Sequence, residues 1–316
     1  MTTAVHKGRF APSPTGRMHL GNVASALVSW LSVKSRGGKW LLRIEDLDPD
    51  RSRREHSLII EDDLRWLGLE WDEGGTDGIG YLGPYSQSER GQIYSEALSK
   101  IEAAGLTYKC TCTRAEIMAS QAPHESDGRV VYAGTCRPQR LGGSLPNEDE
   151  RRHGVTRLVV PDREIRFCDK LYGNQSVNLA SHCGDFALRR ADGVWAYQLA
   201  VVIDDALMGV TEVVRGSDLL LSSAQQIYLF GLLGYPAPEF GHVPLICNSR
   251  GIRLSKRDQS MSMGELRKQY KPEEIIGMLA GTLGLTSTEK PISAAELATQ
   301  FSWASMKPGA KIRLEI

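Results

Sequence analysis

With 316 residues, 41% of them hydrophobic, the chain is long and apolar enough for two domains, or for one domain carrying a large insertion. Lys plus Arg and Asp plus Glu each number 38, so no global charge draws it to nucleic acid; contact would fall to local patches such as 51–54, 137–140 or 250–257. No apolar run approaches the roughly 20 residues that cross a bilayer, and Met1–Arg9 lacks the apolar stretch of a secretion signal, so the chain reads as soluble and cytoplasmic.

The first informative stretch is Arg9-Phe10-Ala11-Pro12-Ser13-Pro14-Thr15-Gly16, followed by His19-Leu20-Gly21-Asn22. A strand enters a turn that two prolines and Gly16 keep irregular. Leu20, Val23, Ala24, Leu27, Val28 and Leu31 then recur at helical spacing. The start of that helix offers backbone N–H groups and a positive dipole end, which suits a phosphate, and His19 and Gly21 sit there.

Lys39–Ile44 reads as a second strand, with Glu45-Asp46-Leu47-Asp48 at its end, where an α/β sheet presents residues to a ligand. A helix from Arg54 to Leu67 buries Ile60, Leu64 and Leu67, and the alternation of strand and helix opens a doubly wound parallel sheet. Gly78–Gly83 matches GxGxxG, but no apolar strand precedes it and Pro84 follows, so it is a loop. Ser86-Gln87-Ser88-Glu89 has capping-box spacing and opens a helix that carries Tyr94, Ala97, Leu98 and Ile101 inward and stops at Gly105.

Six cysteines without a secretion signal point to metal or free thiols more than to disulfides. Cys110 and Cys112, with Cys136 across a weakly apolar loop, have the spacing of a zinc site; ligand chemistry points to His124 as the fourth donor, because tyrosine is an unusual zinc ligand. Residues 156–188 alternate short β-like runs with turns, as in an inserted subdomain. Trp195–Ile203 reads as an apolar strand ending at Asp204-Asp205, Glu212–Arg215 as another strand, and Asp218 as the cap of a helix bearing Leu221, Ala224, Tyr228 and Leu232. Arg253-Leu254-Ser255-Lys256-Arg257-Asp258 is a basic loop that suits a phosphate chain, followed by helices over Met263–Tyr270 and from Pro272 towards Leu283.

The first stretch resembles the first signature of class I aminoacyl-tRNA synthetases of the glutamyl subgroup, and Leu254–Asp258 resembles their second signature. Arg43–Asp46, Tyr197 and Val214–Asp218 are also similar to glutamyl-synthetase segments, so the resemblance covers roughly residues 7–260. The residues after Asp258 are too few for an anticodon-binding domain, since a domain takes about 50–200 residues and these also finish the core. A compact chain of this kind with Cys-x-Cys and Tyr-x-x-x-Cys elements is similar to the glutamyl-Q tRNA(Asp) synthetase family.

The resemblance implies an α/β Rossmann-like sheet split by a zinc-containing insertion, with a short helical C-terminal part. The expected divisions are 1–105 and 191–245 for the two catalytic halves, 106–190 for the insertion and 246–316 for the mobile loop and helices. It implies ATP with magnesium, L-glutamate and queuosine-bearing tRNA(Asp) as partners. His19 and Lys256 become the catalytic candidates, with Gly21 and Asn22 also holding ATP. Asn22 stands where the signature most often has a second histidine. Glu45 is implied for the glutamate ammonium and Arg9 and Arg215 for its side-chain carboxylate, with Phe10, Ala11, Pro12, Ser13 and Tyr197 completing the pocket. The implied zinc ligands are Cys110, Cys112, Tyr132 and Cys136, with Tyr132 in place of His124.

Overall fold

The computed structural model describes residues 5–119, 131–137, 154–247, 262–309 and 311–313. Strand β1 (Lys7–Phe10), buried along its whole length, lies near the middle of a seven-stranded sheet. β2 (Lys39–Leu42) and β3 (Glu73–Gly74) extend the sheet on one side of β1. On the other side come β9 (Glu212–Gly216), β10 (Glu239–Val243), β6 (Glu164–Asp169) and β7 (Gly173–Asn178). All the pairings are parallel except the β6–β7 hairpin. The chain runs outward from β1 through β2 to β3 and returns to place β9 against β1. The order therefore reverses between these two strands, and doubly wound sheets bind ligands at the carboxyl ends of the strands flanking such a reversal.

A separate three-stranded antiparallel sheet joins β4 (Thr107–Cys110), β5 (Val155–Leu158) and β8 (Ala187–Arg189). It lies within the span read as an insertion, yet the β6–β7 hairpin from the same span pairs with β10 in the main sheet. Helix α1 (Leu20–Lys34) buries Leu20, Val23, Ala24, Leu27, Val28 and Leu31, and the core it forms includes apolar residues of helices Met263–Gln269 and Pro272–Leu283. Trp303 ties the C-terminal part to α1 by donating to Ser32 Oγ at 2.9 Å. A parallel pair, β11 (Leu245–Cys247) with β12 (Lys311–Arg313), adds a further connection. No helix among the described residues is long and apolar enough to cross a membrane.

Three local expectations change. The run read as a strand over Trp195–Ile203 is instead part of a helix, Tyr197–Leu207. Leu199 through Asp205 are all buried, so the helix is covered on every side and its sequence shows no polar face to betray a 3.6-residue period. Ser86 makes no capping bond: a 3-10 turn (Gln87–Glu89) intervenes before the helix Gly91–Ala103, and Asp46 Oδ1 accepts from the Ser88 N–H at 2.8 Å. Asp218 does not cap either, because the helix Leu220–Leu232 is preceded by a 3-10 turn that contains it.

Candidate active site

A cleft of about 690 Å³ opens at the carboxyl ends of β1, β2, β9 and β10. It gathers every described residue expected at the small-molecule site: Arg9, Phe10, Ala11, Pro12, Ser13, His19, Gly21, Asn22, Glu45, Tyr197 and Arg215. Lys256 and the rest of its basic loop lie outside the described residues. The ends flanking that loop border the cleft region, however: Ile246 lines the cavity, and Ser262 makes a β-bridge to His19 while Met263 N donates to Met18 O at 2.9 Å.

His19 is the N-cap of α1. Its Nδ1 accepts from Gly21 N at 3.1 Å, and Asn22 Oδ1 accepts from the His19 N–H at 3.2 Å, a reciprocal box. The Gly21 amide, expected to be open for phosphate, is therefore taken by the imidazole. A Cβ at Gly21 would stand 2.9 Å from His19 Cε1, so a larger residue there would push the ring from its place over the helix end. Asn22 supplies the other half of the cap, which accounts for an amide at that position.

Deeper in the cleft the charges are buried. Arg215, 5% exposed, spends its donors on His242 Nε2 (3.2 Å), Gln226 Oε1 (2.8 Å), Ser223 Oγ (2.9 Å), Tyr197 Oη (3.3 Å) and Leu219 O (3.2 Å). All five acceptors are neutral, and among the described residues no carboxylate pairs with it. Burial accordingly pulls the Arg215 pKa below the ordinary arginine value. Arg9 reaches Asp205 Oδ1 at 3.3 Å and Val214 O at 3.4 Å. Glu45 accepts from Arg43 at 3.1 Å, yet burial raises its pKa against the pull of that guanidinium.

Sequence reasoning did not find Arg43, Asp204 and Asp205 as one network. Asp204 accepts from Arg90 (2.6 Å), Gln87 (2.8 Å) and Tyr94 (2.8 Å), while Asp205 accepts from Arg43 at 2.7 Å. The signal available was the adjacent acidic pair at the end of an apolar run, which has to be partnered if buried. Nor did it single out Asp169 and His242, whose 2.6 Å contact lies behind Arg215.

The sulfur cluster forms in the antiparallel sheet. Cys110 and Cys112 flank the end of β4, and Tyr132 and Cys136 come from the short described segment 131–137. The three sulfurs lie within 4.8 Å of one another. Cys112 Sγ is 3.4 Å from Cys136 Sγ, and Tyr132 Oη is 3.3 Å from Cys110 Sγ and 3.8 Å from Cys112 Sγ. These separations are close to the roughly 3.8 Å edge of a tetrahedron with about 2.3 Å metal–sulfur bonds, so the donor set fits a bound metal. Tyr132 Oη also accepts from Cys136 N at 2.7 Å, and the Arg157 guanidinium lies 3.9 Å from the centre of its ring. Burial raises Cys112 to about 12; Cys136 is held at about 7, because hydrogen bonds from Tyr132 and the Thr111 backbone outweigh its burial. His124 lies outside the described residues.

The family model described as "tRNA synthetases class I (E and Q), catalytic domain" matches residues 5–313. Glutamyl-Q tRNA(Asp) synthetase of Nitratidesulfovibrio vulgaris is 46% identical over 302 residues, covering 95% of this chain and 93% of that protein. Its counterpart in Symbiobacterium thermophilum is 45% identical over 311 residues, covering 97% and 95%. Among solved structures, a glutamate tRNA ligase from Elizabethkingia meningosepticum, crystallised in complex with its amino acid, superposes with a TM-score of 0.81 at 31% identity over 99% of this chain and 67% of that one. The chain belongs to the class I tRNA synthetases of the glutamate and glutamine group and, within it, to the glutamyl-Q tRNA(Asp) synthetase family.

Proposed function

We propose that the protein activates L-glutamate with ATP and transfers the glutamyl group to queuosine in the anticodon loop of tRNA(Asp). The observation that carries glutamate recognition is Arg215, a buried cation with only neutral partners, sharing one cleft with the carboxylate of Glu45. A ligand that brings an anionic end to Arg215 and an ammonium to Glu45 completes both, and glutamate has that form. The acceptor rests on the relatives named glutamyl-Q tRNA(Asp) synthetase, which match along nearly their whole length.

In the first step the glutamate α-carboxylate attacks the α-phosphorus of ATP, forming the acyl-phosphate bond and expelling pyrophosphate. In the second a queuosine cyclopentenediol hydroxyl attacks the acyl carbon, loses its proton and releases AMP. Little covalent chemistry falls to the protein, so its contribution is positioning and charge stabilisation. His19, fixed by its cap at the cleft, would contact the triphosphate. Gly21 and Asn22 shape that end of the cleft, and Lys256 supplies the cation for the departing pyrophosphate. Arg9 and Arg215 would hold the side-chain carboxylate, with Ser13, Tyr197, Phe10, Ala11 and Pro12 lining the same cleft. Magnesium would accompany ATP. Cys110, Cys112, Tyr132 and Cys136 would hold one zinc ion, whose chemistry there is structural: four protein donors leave no open position.

Labelled glutamate and ATP, supplied with bulk tRNA from strains with and without queuosine, test the reading. Label should enter only queuosine-containing tRNA(Asp). Label that survives without queuosine, or that sits on the 3′ end of tRNA(Glu), would sink the acceptor assignment.

A further inference from the structure

Three neighbouring strands each place one side chain on a common line. Arg215 on β9 stands opposite His242 on β10 in the parallel register, and Asp169 ends β6 on the far side of β10. His242 is 0% exposed and Asp169 1%. Asp169 Oδ2 lies 2.6 Å from His242 Nδ1, and Arg215 Nε donates to His242 Nε2 at 3.2 Å. An imidazole bonded in this way is neutral with its proton on Nδ1, because Nε2 needs a lone pair to accept from the guanidinium. Asp169 is fixed in turn, its Oδ1 accepting from the Leu171 and Tyr172 amides at 2.9 Å each.

The partners of Arg215 fall into two groups. His242, Gln226 and Ser223 are buried and do not line the cleft. Tyr197 and Leu219 do line it, and with His242 they make the longer contacts, 3.3 and 3.2 Å against 2.8 and 2.9 Å for Gln226 and Ser223. The guanidinium is thus gripped from behind, and its cleft-facing N–H groups are the ones an incoming carboxylate can take over.

We propose that Asp169 is a positioning residue for glutamate recognition, acting through His242: it keeps the imidazole in the tautomer that aims the Arg215 fork into the cleft. The β6–β7 hairpin, which arises from the inserted span, therefore contributes to amino-acid selection. An amide at 169 loses the fixed preference for the Nδ1–H tautomer. The imidazole can then turn an Nε2–H toward Arg215 Nε, setting donor against donor and pushing the fork off line.

This inference rests on glutamate being the amino acid activated, so glutamate-dependent ATP–pyrophosphate exchange, with bulk tRNA present, is run first on the unaltered protein. No exchange there overturns that reading and this proposal together. With exchange established, Asp169→Asn should raise KM for glutamate about tenfold or more while kcat and KM for ATP stay within about twofold. His242→Gln, whose Oε1 can still accept from Arg215, should retain tighter glutamate use than His242→Leu. In the His242→Gln background the Asp169→Asn change should cost less than it does alone, because no tautomer is left to control. Wild-type KM for glutamate in Asp169→Asn overturns the proposal, as do equal losses in His242→Gln and His242→Leu. A fall in kcat with both KM values unmoved, in variants that melt earlier, would show a merely structural role and also overturn it.

Discussion

Arg43 donates to Asp205 Oδ1 at 2.7 Å, and its other terminal nitrogen reaches Glu45 at 3.1 Å. One fully buried guanidinium thus joins the Tyr197–Leu207 helix to the residue expected to meet the substrate ammonium. Its charged form is favoured because Asp205, Asp204 and Glu45 together outweigh the penalty of its burial. Arg43→Met would strip Glu45 of its cation and leave Asp205 its ion pair with Arg9 and Asp204 its ion pair with Arg90. Breaking a buried pair from one side costs about 3–5 kcal/mol, so the unfolding free energy from urea denaturation should fall by that much, with the midpoint lowered at an unchanged slope. A midpoint within error of wild type would show that the network is not held by Arg43.

The neutral surroundings of Arg215 make a prediction about selectivity. Glutamine offers an uncharged amide where glutamate offers a carboxylate, so the buried charge stays uncompensated. A site of this kind rejects the wrong partner by about 10⁴–10⁵ in kcat/KM. Arg215→Leu should abolish most glutamate use and shrink that ratio towards unity. Exchange that runs equally well with both amino acids in the unaltered protein would remove Arg9 and Arg215 from carboxylate recognition.

How much of this was legible in the sequence depends on where the residues lie. Arg9, His19, Glu45 and Arg215 sit at strand or helix ends, where local pattern marks the element and the doubly wound order marks the face. Pattern and strand order pointed His19 and Glu45 towards a ligand, Arg9 and Arg215 came through the family resemblance, and the fold brings all four to one cleft. The Tyr197–Leu207 helix was not legible: burial on all sides erases the periodicity that separates a helix from a buried strand. Asp169 and His242 were invisible for a different reason. Each is an ordinary polar residue in a short strand, and only the pairing of β6, β9 and β10 brings them into line behind Arg215. The fourth position of the sulfur cluster came only from the family resemblance, which implied Tyr132. Tyr132 presents its oxygen to the sulfurs across a segment whose composition alone favoured His124.

Lys256 tests the division of labour in the cleft. A cation reserved for the departing pyrophosphate stabilises charge that develops only in the transition state. Lys256→Ala should therefore slow activation by about 10²–10³ with glutamate binding nearly intact, the usual size of losing one such group. Single-turnover adenylate formation alongside equilibrium glutamate binding separates the two, and an unchanged activation rate would end the role.

The sulfur cluster predicts one zinc per chain by elemental analysis, and none in Cys110→Ser/Cys136→Ser. Without the ion, three close thiols and a phenol crowd one another with no cation at their centre. Stripping the metal with a strong chelator should lower Tm by about 3 °C, the shift that about 2 kcal/mol produces at an unfolding entropy of roughly 2.1 cal/mol/K per residue. Tyr132→Phe should keep the metal but release it faster to the chelator. A metal-free protein with the same Tm and activity would show the cluster to be simple packing.

The Asp169–His242 pair also sets how stability responds to acid. Burial, with Arg215 and Arg9 nearby, lowers the His242 pKa despite the hydrogen bond to Asp169, whereas the unfolded chain takes up that proton near pH 6.5. The unfolded state therefore binds more protons once the pH drops below about 6.5, and stability must fall from there down to the folded pKa. Asp169 acts in the same direction at lower pH. Burial would raise its pKa, but the bonds from His242 and the two amides bring it below the ordinary value, so its contribution is complete above about pH 4 and lost as the pH falls through the folded value. His242→Gln removes the first of these two windows and leaves His6, whose pKa is also lowered, as the shared background. Melting curves between pH 7 and pH 5 should show a steeper decline for the unaltered protein than for His242→Gln. Parallel declines would mean that the buried imidazole accepts a proton as readily in the fold as outside it.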